Sequence, residues 1–153
     1  MIYIGIDPGP EESAVVVWDG ESIVGYAEYP NPVLAATILI NWGDDLKAPA
    51  PGKVAIEQIR GFGVPASNKL FDTCYWTGRF VERLGEENCI LLPRKEVRKH
   101  FGAHNDTFVR EALIERLGEP GTKKAPGPTY GMAGHLWAAL AVSIAAYDVG
   151  SAA

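Results

Sequence analysis

The sequence predicts an α/β domain built on a mixed five-stranded sheet with helices on both faces. Three observations lead there. Three consecutive strand patterns open the chain, short apolar runs then alternate with helix-length segments, and the last such segment is apolar nearly all round. The 153 residues are expected to form a single domain, residues 1–153, long enough to bury a core without staples.

The first strand is Ile2 to Ile6, rich in β-branched and aromatic residues and stopped by Asp7-Pro8-Gly9-Pro10. Ser13 to Trp18 forms the second, and Asp19-Gly20 turns the chain into a third from Ile23 to Tyr29, giving an antiparallel meander. Asn31-Pro32 opens a helix from Val33 to about Trp42. After a Pro/Ala/Gly loop at Lys47 to Gly52, the run Val54-Ala55-Ile56-Glu57 reads as a buried strand with a charged last residue. A glycine-containing loop, Arg60 to Ser67, leads to a helix from about Asn68 to Leu84. Its expected inner face is Leu70, Cys74, Thr77, Val81 and Leu84. Cys89 to Leu92 reads as a second buried strand ended by Pro93, and two shorter helices follow. Asn105 or Asp106 caps the second of these, with Val109, Leu113 and Leu117 inward. A Pro/Gly loop over residues 119–131 precedes a core helix from about Gly134 to Asp148.

Composition narrows the class. Hydrophobic residues make up 47% and charged residues 22%, a globular balance rather than a disordered one. Two cysteines, Cys74 and Cys89, make neither a disulfide framework nor a multi-cysteine zinc site. The apolar stretch Leu136 to Tyr147 is too short to span a bilayer. No charged leader precedes the first strand, so a cytoplasmic protein without membrane partners is expected. The net charge of -5 argues against nucleic-acid binding by bulk electrostatics. The distribution softens that: residues 1–52 hold one basic and eight acidic residues, residues 53–153 thirteen basic and eleven acidic. The densest basic run is Arg94, Lys95, Arg98, Lys99 and His100, with Lys123 and Lys124 forming a second cluster.

Asp7 and Glu57 each end an apolar strand, where a carboxylate is costly unless paired or ligating. If those strands are neighbours, both acids face one crevice at the sheet's C-terminal end, where open α/β sheets bind ligands. With no lysine or arginine expected between them, they suit a hard divalent cation, Mg²⁺ or Mn²⁺. Otherwise they are two solvated strand-end carboxylates. His135, in the first turn of the last helix, is the third candidate, although a lone histidine there is more often a capping or core residue.

These residues carry a resemblance. Gly5-Ile6-Asp7-Pro8-Gly9, then Ala55-Ile56-Glu57-Gln58, then His135 leading into Ala138-Ala139-Leu140-Ala141, in this order of elements, resemble the RuvC-type Holliday junction resolvases of the ribonuclease H-like superfold. The similarity is closest to the phage-type branch, with further matches at Trp76 to Phe80, Pro93 to Val97, Asp106 to Arg110 and Pro126 to Gly131. It covers residues 1 to about 148.

The resemblance implies a dimeric, structure-selective endonuclease. It would resolve four-way DNA junctions by paired, metal-dependent hydrolysis to 5′-phosphate and 3′-hydroxyl ends, using Mg²⁺ or Mn²⁺ and no small-molecule cofactor. Asp7, Glu57 and His135 carry over as catalytic and metal-ligating residues. The family's fourth ligand lies one turn after His135, where this chain has Ala138. Asp148, thirteen residues beyond His135, lies about 20 Å along the helix and is too far away to replace that ligand. Asp106 is a possible substitute, although capping already explains it. Arg60, Lys69, Arg94, Lys95, Arg98, Lys123 and Lys124 are candidate phosphate contacts. Phe62 is a candidate for stacking on an unpaired base at the junction centre. The helix segment Phe71 to Phe80 is the expected homodimer interface. Two other functions remain open: a ribonuclease H-like nuclease acting on structured RNA, and a non-catalytic branched-DNA binding module.

Overall fold

The computed structural model describes residues 1–37, 52–61, 63 and 65–153. Strands β1 (Tyr3–Asp7), β2 (Glu12–Trp18) and β3 (Ile23–Pro30) form the meander. Helix α1 (Asn31–Thr37) follows, then β4 (Lys53–Gln58) and the long helix α2 (Asn68–Leu84). Strand β5 (Cys89–Pro93) precedes α3 (Arg94–His100), α4 (Asp106–Leu117) and α5 (His135–Ser151). The sheet order is β3-β2-β1-β4-β5, with β1, β4 and β5 parallel and the meander antiparallel. Residues 38–42 of the expected first helix lie outside the described residues.

Side chains alternate across a strand, so each strand supplies two faces. Ile4, Ile6, Val15, Val17, Val54 and Ile56 point one way, onto Leu34 and Ala35 of α1 and Phe80 and Leu84 of α2. Tyr3, Val16, Trp18 and Ala55 point the other way, onto α5 and, beyond it, Val109 and Leu113 of α4. Each fully buried Ile, Val or Leu contributes about 1.5–3 kcal/mol of transfer free energy. The two sets therefore clamp the sheet between helical layers.

Helix α5 lies unusually close to β1. A Cβ built on Gly5 would sit 2.0 Å from the Ala139 carbonyl oxygen and 2.7 Å from Ser143 Cβ. Small residues at the crossing, Gly5 and Ala55 on the sheet and Ala139 and Ser143 on the helix, allow that approach. The outer end of α5 is tied down by Asp148. Its two oxygens accept from Arg116 at 2.6 and 2.9 Å, and His100 Nε2 lies 2.8 Å from one of them. Asp148 thus joins α3, α4 and α5, away from His135.

Two expectations need correction. The inner face of α2 is Thr73, Phe80 and Leu84, while Cys74 is exposed. Phe71 and Tyr75, off that face of the helix, point outward at 62% and 57% exposure. Strand β5 is half-buried rather than buried, with Leu91 exposed, because it forms the sheet edge. Of the two caps expected for α4, Asn105 is the one that forms: its side chain accepts from Phe108 N–H.

Candidate active site

Asp7 and Glu57 are neighbours because of strand register. Gly5 pairs with Ala55 and Ile6 with Ile56 in the parallel β1–β4 ladder, so the next pair is Asp7 beside Glu57. By alternation both carboxylates emerge on the α5 face. Beneath them lie Gly5 and Ala55, and α5 starts above them. Gly134, at φ 53°, makes the turn that begins the helix at His135, a backbone conformation only glycine adopts without strain.

His135 Nδ1 lies 2.8 Å from Asp7 Oδ2. An ionised carboxylate only accepts, so Nδ1 donates, and in the neutral imidazole Nε2 keeps its lone pair. The His135 side chain is 72% exposed, while that of Asp7 is 5% exposed. The loop after Asp7 is braced from below. Ser13 Oγ donates to Asn31 Oδ1 at 2.6 Å, Asn31 Nδ2 donates to the Gly9 carbonyl, and Gly9 N–H donates to Ser13 Oγ. Asn31, the first residue of α1, is fully buried.

An arginine stands where none was expected. Arg94, the first residue of α3, directs Nε and Nη2 onto Glu57 Oε1 at 2.7 and 2.6 Å. Its Nη1 lies 3.7 Å from Asp106 Oδ2. Arg98, one turn on, holds Asp106 Oδ1 through Nε and Nη2, each at 2.9 Å. The signal was present in the sequence: Leu92 is the register partner of Glu57 and Pro93 that of Gln58. Arg94 therefore follows directly at the end of the adjacent strand. Asp106 is thus an ion-pair partner, and a cavity of about 260 Å³ is lined in part by Asp7, Glu57, Arg94, Asp106, His135 and Ala138.

Burial pushes the Asp7 carboxyl above its ordinary range, opposed by the hydrogen bond and charge of His135 and by Arg94. Burial likewise raises Glu57, reinforced by the Asp7 charge and opposed by Arg94. Burial works against the Arg94 charge, but Glu57, then Asp106 and Asp7, outweigh it and hold its pKa above the ordinary value.

Among the described residues no three His, Cys, Asp or Glu side chains already converge as a metal cage. The donor chemistry nevertheless fits a divalent ion. Asp7 uses only Oδ2 and Glu57 only Oε1, so among the described residues Asp7 Oδ1 and Glu57 Oε2 accept no hydrogen bond. Two adjacent buried carboxylates with a spare oxygen each suit a hard cation.

The other candidates scatter. Arg60 is exposed and donates to Gln58 Oε1 at 3.0 Å. Lys69 and Lys95 are exposed on the first turns of α2 and α3, and Lys123 and Lys124 are exposed in the loop before α5. Phe62 lies outside the described residues.

No protein-family model matches the chain, and no curated protein matches it in sequence. Solved structures do match in fold. Thermus thermophilus RuvC superposes with a TM-score of 0.72 at 17% identity, covering 99% of this chain and 97% of that one. T. thermophilus RuvC in complex with Holliday junction substrate superposes with a TM-score of 0.73 at 16% identity, covering 99% and 96%. The fold is therefore the ribonuclease H-like α/β fold of RuvC, with a mixed five-stranded sheet between helices.

Proposed function

We propose that the chain is a RuvC-type endodeoxyribonuclease of the phage-type branch. Its reaction is the resolution of four-way DNA junctions by paired hydrolysis to 5′-phosphate and 3′-hydroxyl ends. One observation carries the reading: Asp7, Glu57 and His135 line one cavity at the C-terminal edge of parallel strands. This happens in a fold shared end to end with a protein solved on its Holliday junction substrate.

Asp7 and Glu57 would hold Mg²⁺ or Mn²⁺ through their spare oxygens. Such an ion, when bound, stabilises charge on a phosphate and activates water. His135, oriented by Asp7, presents Nε2 to solvent as acceptor for a water proton. Exposed Arg60 and Lys95, which line a cavity with Glu57 and Arg94, would serve as phosphate contacts.

The test is a synthetic four-way junction incubated with Mg²⁺ or Mn²⁺ and resolved on a denaturing gel beside a structured RNA. Symmetric nicks in the DNA are expected. Cleavage of RNA alone, or binding without cleavage in either metal, would replace this reading with one of the two alternatives.

The enzyme works as a two-fold homodimer, because a junction offers two equivalent scissile phosphates. Exposed Phe71 and Tyr75 on α2 support that interface. Sedimentation at micromolar concentration should give a dimer; a monomer that still makes paired nicks would overturn the claim.

Ala138 supplies no donor one turn after His135, although it lines the same cavity. Mg²⁺ demands near-ideal octahedral oxygen geometry, whereas Mn²⁺ accepts imidazole more readily. Cleavage is thus expected to be faster in Mn²⁺ at equal low-millimolar concentration. Ala138→Asp should narrow the Mn²⁺/Mg²⁺ rate ratio, and an unchanged ratio in a folded variant would sink the idea of a missing ligand.

A further inference from the structure

We infer that Arg94 is a resident counter-cation of the acid pair, and that it must move from Glu57 to Asp106 before a divalent ion is held. The inference rests on the metal-nuclease reading above. It goes beyond that reading by giving this arginine and Asp106 a role in loading the site.

The geometry supports each part. Glu57 has its side chain 6% exposed and stands beside the almost equally buried Asp7. Two such charges side by side are unfavourable without a cation. Arg94 supplies one by aiming two N–H groups at a single oxygen, Glu57 Oε1. A divalent ion on the same acids would repel that guanidinium at close range. Arg94 is free to leave, since 46% of its side chain is exposed.

A second place is ready for it. Arg98 takes only Oδ1 of Asp106, and Oδ2 faces Arg94 Nη1 at 3.7 Å. A small rotation about the Arg94 side chain turns that long contact into a hydrogen-bonded pair while releasing Glu57 Oε1. On this account Asp106 does not ligate the ion. It is a positioning residue that draws Arg94 aside.

The experiment is calorimetric titration of MnCl₂ into metal-stripped protein at pH 8 without DNA. The proteins are wild type, Asp7→Asn, Arg94→Gln, Arg94→Lys, Asp106→Asn and the Arg94→Gln/Asp106→Asn double variant. Arg94→Gln should bind Mn²⁺ roughly tenfold more tightly than wild type. Arg94→Lys keeps the charge but not the two-donor contact, so it should fall between them. It supplies a second arm should Arg94→Gln fold poorly. Asp106→Asn should bind several-fold more weakly, because Arg94 loses its alternative partner, and should have no effect once Arg94 is glutamine. Equal or weaker binding by both Arg94 variants would overturn the inference. So would an Asp106→Asn loss that persists in the double variant, which would make Asp106 a ligand. Mn²⁺ binding that Asp7→Asn abolishes but Arg94 variants leave unchanged refutes this inference alone. Binding indifferent to Asp7→Asn, or absent from every variant, refutes the nuclease-site reading and this inference with it.

Discussion

Asp7→Asn is expected to lower junction cleavage by roughly a thousandfold or more while junction binding persists and the folded chain becomes more stable. The first effect follows from the loss of the charged carboxylate that would hold the ion beside His135. Binding persists because the substitution touches none of the exposed basic residues. The stability gain has the opposite sign from most substitutions and comes from burial. Asp7 has its side chain 5% exposed, and its pKa is raised chiefly by that burial. A carboxyl whose folded pKa exceeds its unfolded one binds its proton more tightly in the folded state. It therefore weakens folding as pH rises through the raised value.

Asparagine removes that ionisation but still accepts the His135 N–H. In EDTA, its melting temperature should exceed that of wild type at neutral pH, by about 2–4 °C for each kcal/mol gained. The advantage should vanish below the ordinary aspartate range, where the carboxyl is protonated in both states. Calorimetric melts across pH check this. A variant that melts below wild type at pH 7.5, or that still cuts at near wild-type rate, would contradict the site. Active sites often carry such a stability deficit.

Gly5→Ala is expected to be strongly destabilising for a single added methyl. The new Cβ would overlap the Ala139 carbonyl at 2.0 Å and crowd Ser143. Backbone cannot rotate away as a flexible side chain does, so α5 must move off the sheet. Overpacking of this severity costs about 3 kcal/mol or more, a fall of roughly 6–12 °C in melting temperature for a chain of this length. The displaced helix carries His135 at its start, so cleavage should fall as well, even below the new transition. Thermal melts and cleavage assays at low temperature measure the two effects. A variant that melts within about 2 °C of wild type would mean that the helix does not lie where the structure puts it.

The two substitutions mark what was readable in advance. Strand parity made Asp7 and Glu57 legible: each is the last charged residue of an apolar run, and alternation puts them on the faces of Gly5 and Ala55. Their adjacency needed one further fact, that the fourth strand pairs with the first. The order of elements implied this and the β1–β4 ladder contains it. The inner face of α2 lies a fraction of a turn away from the one its periodicity predicts. Its aromatic residues lie on more than one side, and the sequence does not say which set meets the sheet and which faces outward.

Local chemistry is written in the sequence because it acts over a few residues. Turn dipeptides, strand alternation, the Asn105 cap and the glycine before His135 all work over such distances, and together they determined the elements and their order. What joins residues far apart was decided by tertiary structure. The Arg94–Glu57 pair spans 37 positions, and the Asp7–His135 contact spans 128. An arginine in a basic run looks the same whether it faces solvent or a buried acid. Only the packing of α3 against the end of β5 determines which, because a charge takes its partner from the space around it and not from its neighbours in sequence.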